Sequence, residues 1–214
     1  GSDRCIKYFF ESNSEKHWFW GRKKLIISDP SFPMYNIYGQ MFNTKVTNID
    51  YHIIKFPIEE ILNEITTNSI VVFSNPSSPI GDVIQRNDII RILEKGVPTL
   101  IDEAYIEFSD STSCIDLIDS YPNLYVTRTF SKAYGSAGTR FGVILSQPHN
   151  IEKMTQYRDM YEISGQTLKW IKTVCKNKNI ADKYINDVKK TRTELLLKLY
   201  DKGYKFIPSQ SNWF

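Results

Sequence analysis

The sequence predicts an α/β domain whose sheet is largely parallel, with helices on its faces. Three observations predict it. Short apolar, β-branched runs recur along the first two thirds of the chain. Segments with helical spacing separate them, and strands that alternate with helices are joined by crossovers that leave neighbouring strands parallel. The third is size: 214 residues, 41% of them hydrophobic, can bury one sizeable core.

The elements follow in chain order. Asp3–Ser12 reads as a helix, with Asp3 as its cap and Ile6, Phe9 and Phe10 as its apolar stripe. Lys24–Ser28 reads as a short buried strand and Phe32–Met41 as a helix. Lys45–Ile49 and Ile70–Ser74 are β-branched strand runs; between them, Pro57–Ile65 sets Ile58, Ile61, Leu62 and Ile65 at helical spacing. A helix near Asn87–Glu94 precedes a strand at Pro98–Asp102. Leu124–Thr127 and Gly142–Leu145 are further strands, flanking a Gly/Ser-rich turn. From about Ile151 the texture changes: Ile151–Tyr200 holds two long, charge-rich helical segments and no convincing strand. The expected division is a sheet domain over 1–150, then a helical continuation over 151–214 leading toward a second domain.

Composition narrows the function classes. A net charge of +3 is too small to argue for nucleic acid or a membrane surface, so the expected partner is a small molecule or another chain. Cys5, Cys114 and Cys175 are odd in number and widely spaced, which suits a reducing compartment. His17, His52 and His149 are scattered, so no metal-ligand spacing arises. No apolar run approaches the roughly 20 residues that span a bilayer, and no secretory signal opens the chain. The expectation is a soluble, cytoplasmic protein without a metal.

Three segments carry the chemistry. Asn75-Pro76-Ser77-Ser78-Pro79-Ile80-Gly81 follows the strand Ile70–Ser74; by itself it is a turn, which these residue types make anyway. Asp102-Glu103-Ala104-Tyr105 closes the strand Pro98–Asp102 and puts an acid at a carboxyl strand end, where open α/β sheets bind ligands. In Arg128–Arg140 a lysine, Lys132, follows an apolar strand, sits among hydroxyls and precedes Arg140 by eight positions. Most lysines are solvated surface groups. This one has neighbours suited to a dianionic phosphate, which needs hydroxyl and backbone donors and a guanidinium fork. No G-x-G-x-x-G follows any strand, against a dinucleotide-binding module.

The order N-P-x-x-P-x-G, D-E-A-Y and S-K-x-x-x-x-x-G-x-R resembles the fold type I pyridoxal-phosphate (PLP) enzymes, class I/II aminotransferases. Within them it is most similar to histidinol-phosphate aminotransferase and threonine-phosphate decarboxylase. Asp102–Phe108 and Arg128–Gly135 are the most telling stretches; Asp102 lies 27 residues after Asn75 and Lys132 lies 30 after Asp102, in the family's register. The resemblance covers essentially the whole chain and implies the PLP-dependent transferase-like large domain. It implies that Lys132 forms the Schiff base with PLP and moves the substrate's Cα proton. Asp102 would pair with the pyridine nitrogen, and Asn75 and Tyr105 with the phenolic oxygen. Thr129, Ser131 and Arg140 would grip the phosphate, and Phe32 would stack on the ring where the family often has tyrosine. Ser2 and Asp3, in Gly1-Ser2-Asp3, match the small-residue turn that presents backbone N–H groups to the phosphate; Gly-Ser is also a common cloning remnant.

Against the family's pattern, the chain starts at the phosphate loop, and it ends at Ser209–Phe214, which resembles the lead-in to the small domain. The substrate-carboxylate arginine is therefore expected outside this sequence, with Arg158 and Arg192 on helix faces. Arg158–Ser164 departs from the histidinol-phosphate pattern, which points either to a different substrate or to a plain helix junction. The resemblance implies an aminotransferase acting on a small amino compound, phosphorylated or not, and a homodimer. The same-cofactor alternative is a decarboxylase of a phosphorylated amino acid such as phosphoserine or phosphothreonine. A non-catalytic domain that kept the fold is disfavoured because Lys132 and Asp102 are both present.

Overall fold

The computed structural model of the chain describes residues 1–14, 21–51 and 55–214. The strands are β1 (Lys24–Asp29), β2 (Lys45–Asp50), β3 (Ser69–Ser74), β4 (Thr99–Asp102), β5 (Leu124–Thr129) and β6 (Gly142–Ser146). Between and after them run α1 (Ser2–Asn13), α2 (Met34–Met41), α3 (Ile58–Glu64), α4 (Arg86–Leu93), α5 (Pro148–Thr155), α6 (Gly165–Lys176) and α7 (Lys178–Asp201). The sheet order is β2-β1-β3-β4-β5-β6. Every neighbouring pair is parallel except β5 with β6, which is antiparallel.

Side-chain alternation explains why the sheet is covered on both faces. Leu25 and Ile27 of β1, Ile70 and Val72 of β3, Leu100 of β4 and Tyr125 of β5 face one way. They pack on Ile6, Phe9 and Phe10 of α1, Tyr35 and Tyr38 of α2 and Met154 of α5. The intervening Ile26, Val71, Phe73, Ile101 and Val126 face the other way, onto Ile58 and Ile61 of α3 and Ile89, Ile92 and Leu93 of α4. Strands buried on both faces read as unbroken apolar runs, as Ile70–Phe73 does. The predicted mostly parallel α/β fold is the observed one.

Some local expectations are corrected. Asp3 does not cap α1: Gly1 holds that position and no side chain caps it. Asp3 lies in the first turn, where Nη2 of Arg140 at 2.7 Å draws its carboxylate away from the helix N–H groups. Helix α2 begins at Met34, not Phe32, with Pro33 at the N-cap. The helical stretch expected as two long segments is three helices, and the first, α5, starts at Pro148 and packs on α1 and β6. Arg158 lies in the connection after α5, not on a helix face, and pairs with Glu162 at 2.6 Å. Arg192 is on α7 as expected, but its guanidinium is turned inward, onto the carbonyls of Phe108 (2.9 Å) and Ser211 (2.7 Å).

The start of α1 crosses β6 at Gly142. A Cβ there would lie 2.4 Å from the Ser2 nitrogen, 2.7 Å from the Gly1 carbonyl carbon and 3.0 Å from the Arg128 oxygen, all backbone. None of these can rotate away as a side chain would. Gly142→Ala should therefore push α1 off the sheet and cost about 1–3 kcal/mol. Urea denaturation of the two proteins measures this, and an unchanged midpoint would show that α1 and β6 accommodate the methyl group without cost.

Candidate active site

The sheet order changes direction between β1 and β3, since β2 lies outside β1 while β4, β5 and β6 continue from β3. Open α/β sheets bind ligands at the carboxyl strand ends beside such a reversal. A cavity of about 350 Å³ opens there. Three register-matched residues underlie it: Ser74 of β3 pairs with Asp102 of β4, which pairs with Thr127 of β5. In-register residues share a face, so all three point to the α1–α2 side. The Thr127 hydroxyl donates to Asp102 Oδ1 at 2.8 Å, and the Tyr35 hydroxyl of α2 donates to Oδ2 at 3.1 Å. Burial pushes the Asp102 carboxyl above the ordinary carboxylate range, while the two hydroxyls, the Ala104 N–H and the charge of Lys132 pull the other way.

The period of two also separates the acids of Asp102-Glu103. Glu103 points to the opposite face, fully buried, and accepts from the Ser113 hydroxyl and the Cys114 N–H, both at 2.6 Å. Arg128 joins it at 3.4 Å and Glu107 at 2.6 Å. Asp102 thus faces the cavity, and Glu103 braces the turn that follows.

Lys132 sits on a tight loop after β5, closed by the Ser136 N–H on the Phe130 carbonyl at 2.9 Å. Gly135, at φ 58°, supplies the left-handed turn. Ala133 is buried beside Phe108 and Ile185 of α7, which anchors the loop next to the lysine. The Lys132 ammonium lies 4.9 Å from the centre of the Tyr105 ring, within cation–π range. The Tyr105 ring is met edge-on by Trp213 at 4.3 Å, and the Trp213 indole N–H donates to the Pro79 carbonyl at 2.7 Å.

Of the residues singled out in the sequence, Ser2, Asp3, Phe32, Asp102, Tyr105, Thr129, Ser131, Lys132 and Arg140 all line this cavity. Asn75 does not; it is buried behind the wall, its Oδ1 accepting from the Ile84 N–H at 3.0 Å. With the carbonyl end tied, its amide N–H₂ is the end left to donate. Asp3 lines the cavity beside Arg140. Its carboxylate pairs with the Arg140 guanidinium at 2.7 Å. An anion there opposes a phosphate, so only the backbone of Asp3 suits one.

Sequence reasoning missed Tyr35, Ser74 and Thr127, whose signals were a helix tyrosine and two strand hydroxyls of no special pattern. It also missed Trp213. Among the described residues no cluster of His, Cys, Asp and Glu could hold a metal, and no helix is long and apolar enough to cross a membrane. His17 and His52 lie outside the described residues.

A buried carboxylate, a lysine and an arginine around one cavity, with hydroxyls between, suit a ring that carries a basic nitrogen, an aldehyde and a phosphate. The chain belongs to the aminotransferase class I and II family, whose model matches residues 18–214. It is 30% identical over 215 residues to the histidinol-phosphate aminotransferase of Thermococcus gammatolerans, covering all of this chain and 60% of that protein. The chain thus spans about three fifths of such curated relatives. Solved structures share the fold. The histidinol-phosphate aminotransferase of Sinorhizobium meliloti, in complex with pyridoxal-5'-phosphate, matches with a TM-score of 0.86 at 21% identity over 99% of this chain and 58% of that one. The L-threonine-O-3-phosphate decarboxylase of Porphyromonas gingivalis matches with a TM-score of 0.80 at 19% identity, over 99% and 62%.

Proposed function

We propose that the protein is a PLP-dependent aminotransferase acting on a small amino compound, with Lys132, Asp102 and Arg140 as its principal groups. The observation that carries this is their convergence, with Thr129 and Ser131, on one cavity at the carboxyl strand ends. PLP, when bound, supplies an electron sink for the pair released as a bond to the substrate α-carbon breaks. Asp102 holds a proton on the ring nitrogen, and its burial makes that charge pairing strong. Lys132 Nζ would hold the aldehyde carbon by condensation with loss of water, and the freed amine would carry the substrate's α-proton away and back. Tyr105 would donate to the phenolic oxygen, while Asn75, buried outside the cavity lining, would brace the turn beside it through its bond with the Ile84 N–H. Arg140, Thr129, Ser131 and the backbone at Ser2 and Asp3 bind the phosphate, for which Arg140 must leave Asp3. Phe32 covers one ring face.

We further propose a homodimer in the cytoplasm, with 1–150 as the cofactor-binding domain and 151–214 leading to a second one. The family and the relatives named for histidinol phosphate support a phosphorylated substrate.

The test incubates the full-length protein with histidinol phosphate and with phosphorylated amino acids, with and without a 2-oxo acid acceptor. Amino transfer that requires the acceptor is expected. Acceptor-independent release of carbon dioxide, with no oxo product, would replace this reading with the decarboxylase, since the same core residues serve both reactions. Failure to take up PLP would overturn both.

A further inference from the structure

Two hydroxyls stand behind Asp102. The Tyr35 hydroxyl donates to Asp102 Oδ2 at 3.1 Å. On the other side Thr127 donates to Oδ1 at 2.8 Å. Tyr35 and Thr127 are both fully buried, so neither hydroxyl has water as an alternative partner. The Tyr35 ring is wedged edge-on against Phe32 at 5.6 Å and packs in the α1–α2 core, which removes its freedom to swing away.

We propose that Tyr35, with Thr127, is a positioning residue of the site: the two hydroxyls grip one oxygen each and set the plane of the Asp102 carboxylate toward the cavity. This rests on the PLP reading above. A carboxylate rotates readily about its last bond, and one donor leaves it free to turn. Two donors from different elements, α2 and β5, leave one orientation. Both bonds lie in a buried setting, where a hydrogen bond is stronger than in water. The titratable groups acting on Asp102 or on Tyr35 are Lys132 after β5, Tyr105 after β4 and Cys5 of α1. The variants leave all of them in place.

The readout is the pH midpoint of the visible absorbance of bound PLP, which reports the basicity of the Lys132 nitrogen joined to it. Positive charge on the ring nitrogen lowers that basicity. A carboxylate that has lost its alignment holds the ring proton less firmly, so the midpoint should rise. Tyr35→Phe keeps the ring volume and should raise it by about half to one pH unit. Thr127→Val should do the same, while Thr127→Ser, which restores the hydroxyl, should keep the parent midpoint. kcat should fall with KM for the amino substrate unchanged. If Tyr35→Phe fails to fold, the Val and Ser replacements at Thr127 decide the matter. Midpoints within about a tenth of a unit of the parent, in variants that bind PLP fully, overturn the inference alone. A parent that takes up no PLP overturns the function and the inference together.

Discussion

Replacing Lys132 by alanine is expected to lower turnover by about 10³- to 10⁴-fold or more while PLP remains bound. The lysine is the group in the cavity whose nitrogen can both bond the aldehyde and carry a proton to and from the α-carbon. Arg140, Thr129 and Ser131 remain to hold the phosphate, so binding and catalysis should separate. Borohydride reduction of the parent should leave the cofactor covalently attached, and peptide mass spectrometry should find it on Lys132. An adduct on another lysine, or an alanine variant with near-parental turnover, would remove Lys132 from the mechanism. The tight loop that carries it, closed by Ser136 on Phe130 and anchored by buried Ala133, places the side chain at the cavity, where it stays exposed to an incoming ligand.

Asp102→Asn should cost about 10²- to 10³-fold in kcat, with a smaller loss of PLP affinity. The amide keeps the size and one acceptor oxygen for the hydroxyls of Tyr35 or Thr127, but removes the negative charge that holds a proton on the ring nitrogen. The penalty falls on the transition state, where electrons flow into the ring, more than on the ground state. Steady-state kinetics beside PLP titration separates the two. Parental turnover in Asp102→Asn would make Asp102 a strand-end acid with a structural task only, as Glu103 already is on the opposite face.

The two acids show how far sequence reading reaches. Asp102-Glu103-Ala104-Tyr105 marked a ligand-facing acid from its place at the end of an apolar strand, and that placement holds. Which partners the acid has was not legible. Thr127 reaches it through strand register, 25 positions along the chain, and Tyr35 through a helix packed across the sheet face. The cap assigned to Asp3 failed for a related reason. Cap propensity is local, while the ion pair with Arg140 depends on β6 bringing residue 140 back beside residue 3.

By itself, the sequence determined the alternation of strands and helices and the parallel sheet, and it singled out Lys132, Asp102, Tyr105, Thr129, Ser131, Phe32 and Arg140, which the fold brings to one cavity. Those follow from periodicity, which the backbone geometry reads directly, and from motifs whose spacing resembles a known family. Only the tertiary structure decided that Asn75 lies behind the cavity wall, that Asp3 is paired to Arg140, and that Tyr35 and Thr127 hold Asp102. Each of these is a contact between residues distant in sequence. Such contacts are settled by register and by packing of helix on sheet, because a buried polar group takes whichever partner the assembled layers bring within hydrogen-bond reach.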